Sequence, residues 1–160
     1  MADHQNGSDG ATVRFPPPFV PVIALAAGLL LDRLIQPLGV PIGGLGRWIP
    51  GALLILVALS LMGAAIGLFR KTGQDPKPWE STPEIITTGI YGHTRNPMYL
   101  GMGLLQAGIG LLLANGWVLV FVPATWAVIY LIAIRHEEAY LKGKFGSPYL
   151  DYMSSVRRWL

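Results

Sequence analysis

Tyr91-Gly92-His93-Thr94-Arg95-Asn96-Pro97-Met98-Tyr99-Leu100-Gly101 runs from a polar cluster straight into an apolar segment. The Asn-Pro pair at its centre reads as a helix start. Asn96 suits the N-cap, and Pro97 suits the first helical position, where a missing N–H leaves nothing unsatisfied. The apolar stretch that follows, 97–114, is separated from the next, 117–134, by little more than Ala114-Asn115-Gly116. So short a connection forces an antiparallel hairpin. The second stretch ends in Arg135-His136-Glu137-Glu138, so this polar cluster meets the first at one end of the hairpin.

Two further apolar runs precede the hairpin, at 19–35 and 49–69. Each of the four is close to the ~20 residues (range 17–25) that cross a hydrocarbon core. The chain has 160 residues, 52% hydrophobic and only 13% charged, with a mean hydropathy of +0.46. A soluble domain carries about 25% charged residues, and four buried soluble helices would leave too little polar surface here to cover them. The expected fold is therefore all-α: a polytopic membrane protein with about four transmembrane helices and a short C-terminal helix in the cytoplasm. The expected organisation is a disordered tail over 1–18 and a single transmembrane domain over 19–160.

Four spans place both termini and the middle loop on one face. That face carries ten of the twelve basic residues: Arg14, Arg70, Lys71, Lys77, Arg95, Arg135, Lys142, Lys144, Arg157 and Arg158; only Arg33 and Arg47 lie opposite. Basic residues accumulate on the cytoplasmic side, so the termini and both polar clusters are expected there, in the cell (inner) membrane. The net charge of +3 then reflects topology and attraction to anionic headgroups, with no sign of nucleic-acid binding. The absence of cysteine excludes disulfides, thiolate catalysis and cysteine-ligated metals. No His/Asp/Glu spacing suits a metal, and no G-x-G-x-x-G follows a strand.

Between the runs, 36–48 reads as an external loop with Pro37 and Pro41, and 70–96 as the long internal one, irregular around 75–80 with a turn at Thr87-Thr88-Gly89. Gly63-x-x-x-Gly67 in the second run is a small-residue pattern that permits close helix contact. Pro123 is a candidate kink. The fourth helix is expected to continue through 135–144 to a cap at Gly146. Ser147-Pro148 then opens a short amphipathic helix to about Ser155, with Tyr149, Tyr152 and Val156 on its apolar side.

Taken singly, these polar residues have structural readings. Arg95 serves as a headgroup anchor, Tyr99 as an interfacial aromatic, Arg135 and Glu138 as a helix-face pair, and Glu137-Glu138 as a solvated charge run. Together they converge at one membrane face, with the C-terminal helix as a lid and the positive end of a helix dipole at Asn96. Such a site suits a zwitterion, with arginine and amide groups for a carboxylate and glutamate for an ammonium.

The order of these elements resembles the isoprenylcysteine carboxyl methyltransferase family, within the membrane methyltransferases that include phospholipid methyltransferases. The resemblance covers 72–160: Pro-Glu-Ile-Ile-Thr-Thr-Gly-Ile-Tyr-Gly at 83–92, Arg95-Asn96-Pro97-Met98-Tyr99-Leu100-Gly101, Glu137-Glu138-x-x-Leu141, Phe145-Gly146, Tyr149-x-x-Tyr152 and Val156-Arg157-Arg158-Trp159. It implies an S-adenosylmethionine-dependent methyltransferase whose cofactor half is about 72–160, acting on a lipophilic or prenylated acceptor, with carboxyl O-methylation favoured. It implies catalytic roles for Arg95 and Glu138, and cofactor binding by Tyr91, His93, Asn96, Tyr99, Glu137, Tyr152 and Arg158. An acceptor other than a carboxylate would need a proton acceptor, which His93 or Glu137 can supply. Members that methylate prenylated cysteine usually have histidine where this chain has Asn96. Two other readings stay open. A sterol-type reductase would bind a nicotinamide cofactor, and a non-enzymatic membrane module or small transporter would bind neither cofactor; only Gln106 interrupts the third run deeply.

Overall fold

A computed structural model describes residues 10–160. Among them the architecture is all-helical, apart from one isolated bridge between Gly39 and Asn115. The helices are α1 (Phe19–Leu34), α2 (Leu45–Lys71), α3 (Pro97–Leu112), α4 (Gly116–Ile129), α5 (Arg135–Phe145) and α6 (Ser147–Ser155). One 3₁₀ turn, Gly89–Gly92, precedes α3. A five-residue wide turn, Tyr130–Ile134, joins α4 to α5, so that Gly116–Phe145 forms one 30-residue helix.

Two of these helices are long and apolar enough to cross a membrane: Leu45–Lys71, with mean hydropathy 2.6, and Gly116–Phe145, with 2.3. The helix α3 is apolar but has only 16 residues, and α1 also has 16. The exposed face of α2, including Leu45, Trp48, Ile49, Leu53, Leu56 and Leu59, is the kind of surface that requires lipid or a partner.

The helix α3 lies between α2 and α4, while α1 packs on α4 and α3. Glycine permits this central position. A Cβ on Gly101 would come within 3.0 Å of the Ala58 carbonyl, and one on Gly108 within 2.8 Å of the Gly51 carbonyl. Both glycines and their partners on α2 recur every seven residues, so one stripe runs the length of the contact. A second stripe, Gly103 and Gly110, faces Trp126 and Leu119. The expected Gly63/Gly67 contact is not formed; nothing lies within 4 Å of a Cβ at either position. Between α3 and α4, Gln106 is bonded at both ends of its amide: its Nε2 donates to the Val118 carbonyl at 3.0 Å, and its Oε1 accepts from Thr125 Oγ1 at 2.7 Å.

The hairpin turn forms as the spacing predicts. Asn115 Oδ1 caps α4 by accepting from Val118 N–H at 3.0 Å. The 36–48 loop clasps this turn through Val40 N–H to the Ala114 carbonyl and Trp117 Nε1 to the Gln36 carbonyl. Gly146 ends α5 at φ 60°, and its N–H bonds the Lys142 carbonyl at 3.0 Å, so the expected cap is present. The tail reading of 1–18 falls in part on residues 1–9, outside the described residues. Over 10–18 the chain is placed against the body of the protein. Ala11 and Val13 are buried beside Tyr99, Ile129 and Ile134, and Ala11 N–H donates to the Pro78 carbonyl at 3.0 Å.

Candidate active site

A cleft opens where α3 begins and α5 and α6 end the helical body. Its walls are the end of α2 (Phe69), the 74–86 loop, residues 95–99, Glu137, Tyr140 and Leu141 on α5, and Tyr149 and Tyr152 on α6. Counted out to its open mouth, solvent included, it holds about 800 Å³ of space.

Pro97 starts α3 as expected, but the Asn96 side chain does not cap it. Its Nδ2 donates instead to the Arg158 carbonyl at 3.0 Å, and Thr94 Oγ1 donates to the same carbonyl at 3.2 Å. Arg95 N–H bonds the Arg157 carbonyl at 3.0 Å. Three successive residues before α3 are thus stapled to the returning C-terminal segment, a tertiary competitor that outbids the local cap.

Arg95 is 8% exposed in its side chain and meets Glu138, Nη2 to Oε1 at 3.4 Å. The two polar clusters therefore do converge. Yet Glu138 has a tighter partner: Arg158 donates from Nε to Oε1 and from Nη2 to Oε2, both at 2.9 Å. That hydrogen bond raises the Arg158 guanidinium above its usual range. The expected Arg135–Glu138 pair gives way to this arrangement, and Arg135 instead lies beside His136.

Of the residues expected at the site, Tyr91, Arg95, Asn96, Tyr99, Glu137 and Tyr152 line the cleft. Glu138 and Arg158 stand behind Arg95, outside the lining, and His93 is exposed and also outside it. Tyr99 donates a hydrogen bond to Glu137 Oε1. The Tyr152 hydroxyl donates to the Tyr91 carbonyl at 2.7 Å, fixing α6 to the turn before α3. Burial pushes the phenols of Tyr91 and Tyr152 above their usual range.

Two polar-ended cleft residues, Tyr149 and Gln74, are not among the expected site residues. Tyr149, 3% exposed, packs on Tyr152 with centroids 6.0 Å apart and beside Arg95; burial raises its phenol to about 12, with Glu138 adding to the rise and Arg95 opposing it. Gln74, 7% exposed, spends its Nε2 on Thr72. Periodicity marks Tyr149 as part of the apolar side of its helix but not as a cleft residue, and nothing local marks Gln74, because the loop and α6 reach the cleft only through tertiary folding.

Buried side-chain atoms without a hydrogen-bond partner are rare in folded proteins. Among the described residues they are Arg47 Nε, Gln74 Oε1, Arg95 Nε and Arg95 Nη1. The last three belong to residues of this one cleft. Two unsatisfied cationic donors and one unsatisfied acceptor, beside Glu137 and several tyrosines, suit a ligand with both an anionic and a hydrogen-donating end.

Apolar, lipid-type helices and a polar cleft at the end of a helical hairpin define a class, that of a membrane-associated helical protein. The model of the phospholipid methyltransferase family matches residues 47–148, and the chain belongs to that family. It is 37% identical over 78 residues to the protein-S-isoprenylcysteine O-methyltransferase of Saccharomyces cerevisiae, covering 48% of this chain and 32% of that protein. It is 36% identical over 73 residues to the enzyme of the same name from Schizosaccharomyces pombe, covering 45% and 30%. The match thus spans about a third of the length of these relatives.

Proposed function

We propose that this chain is an integral-membrane methyltransferase that uses S-adenosylmethionine to methylate a lipophilic or prenylated acceptor, with a carboxylate as the favoured acceptor group. Family membership supports the reaction class. The observation that carries the reading is the pair of buried, unpartnered Arg95 donors in the cleft.

The residues present fit the cofactor. Arg95 Nε and Nη1 suit its carboxylate, since a guanidinium fork matches that group in two bonds. Glu137 and Gln74 Oε1 suit its ammonium or amino groups. Tyr91, Tyr99, Tyr149 and Tyr152 offer ring faces of the kind that attract a cation. When bound, S-adenosylmethionine supplies an electrophilic methyl group on a sulfonium.

The chain's own residues then orient and dry the site. Positioning of reactants is worth ~7–11 kcal/mol in well-oriented cases. A carboxylate acceptor needs no proton removed. For an amine, phenol or thiol, Glu137 is the better placed proton acceptor, because it lines the cleft whereas His93 does not. The Tyr99 hydroxyl holds one of its oxygens and leaves the other for the substrate.

The proposed topology has four spans, with both termini and the cleft facing the cytoplasm, as the basic residues indicate. The 16 residues of α3 cover about 24 Å at 1.5 Å each, less than the ~30 Å core. Its start, and with it the cleft, would therefore sit at the edge of the hydrocarbon, within reach of an acceptor arriving sideways from the bilayer.

Titration calorimetry on detergent-solubilised protein tests this reading. S-adenosylhomocysteine is expected to bind to the wild type and to lose binding in Arg95→Ala. Membranes given a labelled methyl donor are expected to label a lipid-phase product. Binding of a nicotinamide cofactor in place of S-adenosylhomocysteine overturns the reading.

A further inference from the structure

Arg158 is tied to the site twice, once through its main chain and once through its side chain. Its carbonyl accepts from Thr94 Oγ1 and Asn96 Nδ2, while its guanidinium holds both oxygens of Glu138 at 2.9 Å and lies over the Tyr130 ring, 5.0 Å from its centroid. Arg95 reaches the same carboxylate only at 3.4 Å and through Nη2 alone. Glu138 therefore stands between two arginines, closer to one than to the other.

The asymmetry has a consequence for the cleft. Charge-assisted bonds of 2.7–2.9 Å are the strong ones, and a carboxylate engaged at both oxygens by Arg158 has little left for Arg95. Were Arg158 absent, Glu138 would be a buried carboxylate whose nearest cation is Arg95. The unmet cost of burying it would draw Arg95 into a bidentate pair and use up the donors that now have no partner. We propose that Arg158 is a positioning residue: by occupying both oxygens of Glu138 it keeps that carboxylate from capturing Arg95, whose Nε and Nη1, buried in the cleft wall, stay unpaired for an anionic group of the ligand. This rests on the methyltransferase reading only for the identity of that ligand.

The arrangement makes an unusual demand on a double variant. Arg158→Ala removes the side chain but leaves the carbonyl staple to Thr94 and Asn96, which holds the C-terminal segment in place. It is expected to weaken S-adenosylhomocysteine binding, measured by calorimetry on the full chain in detergent, by about tenfold or more. Adding Glu138→Gln removes the captor and is expected to bring affinity back to within about threefold of wild type. A purely structural role for Arg158 predicts the opposite, a double variant no better than the single one.

A second measurement does not depend on the cofactor. The rate at which an arginine-specific dicarbonyl reagent modifies Arg95, followed by peptide mass spectrometry, is expected to fall in Arg158→Ala and recover in the double variant. Wild-type affinity in Arg158→Ala, or a double variant that binds no better than Arg158→Ala, overturns the proposal. A wild type that fails to bind S-adenosylhomocysteine while Arg95 modification keeps the expected order overturns the methyltransferase reading and supports the positioning role.

Discussion

Arg95, Glu138 and Arg158 all stand out in the sequence as candidates, but the way they pair does not. Spacing puts Arg135 and Glu138 on one helix face; nothing local says that a residue twenty positions later will displace that pairing. Tyr149 makes the same point. On its own helix it is one of several aromatics, and only the fold places it against Arg95 in the cleft wall. Its titration yields a prediction at this scale. Burial raises the phenol from 10.0 to about 12, so the folded protein keeps a proton that the unfolded chain releases above pH 10. The stability this contributes is fully present below pH 10 and is lost as pH rises towards 12. Thermal melts of Tyr149→Phe between pH 9 and 11.5 are expected to decline less steeply than those of the wild type. Equal slopes would show that this phenol is not held neutral by its surroundings.

Helix boundaries were the most legible feature of the elements, because they are written in residues with fixed backbone preferences. Pro97 opens α3, Gly146 closes α5 at a positive φ, and Ser147-Pro148 opens α6, all where expected. Which helix faces touch was far less legible. Gly63 and Gly67 look as suitable as Gly101 and Gly108 until the partner helix is known. The paired test follows directly. Gly108→Leu must push against the Gly51 carbonyl and Ile55 backbone, and a core overpacked in this way costs about 1–3 kcal/mol or more. Gly63→Leu meets open space and is expected to change the melting temperature little. Equal effects in the two variants would refute the α2–α3 seam. The wide turn at Tyr130–Ile134 was also hidden. At 100° per residue, Glu138 would lie about 180° around from Ile129 in an uninterrupted helix; the wide turn makes up part of that difference and lets both be buried.

At the scale of the whole molecule, the proposed topology can be read out because the chain has no native cysteine. In that topology, single cysteines at Gly39 and at Ser154 lie on opposite faces. A membrane-impermeant thiol reagent applied to intact cells is expected to label Gly39→Cys, and to label Ser154→Cys only after the cells are opened. Labelling of both from outside would reject the four-span arrangement. The cleft belongs to this scale as well, since its walls come from the end of α2, the loop, the start of α3, α5 and α6. No stretch of chain contains it.

Alone, the order of residues determined that this is an apolar helical protein, that two polar clusters meet across a hairpin, and where most helices begin and end. These properties follow from composition, short connections and backbone preference, all of which act between near neighbours. Folding in three dimensions decided that Asn96 holds a carbonyl instead of capping its helix, that Glu138 serves Arg158 before Arg95, and that Gln74 and Tyr149 belong to the cleft. Each of those outcomes is a competition between a local partner and a distant one, and its winner depends on which groups the packed helices bring within about 3 Å.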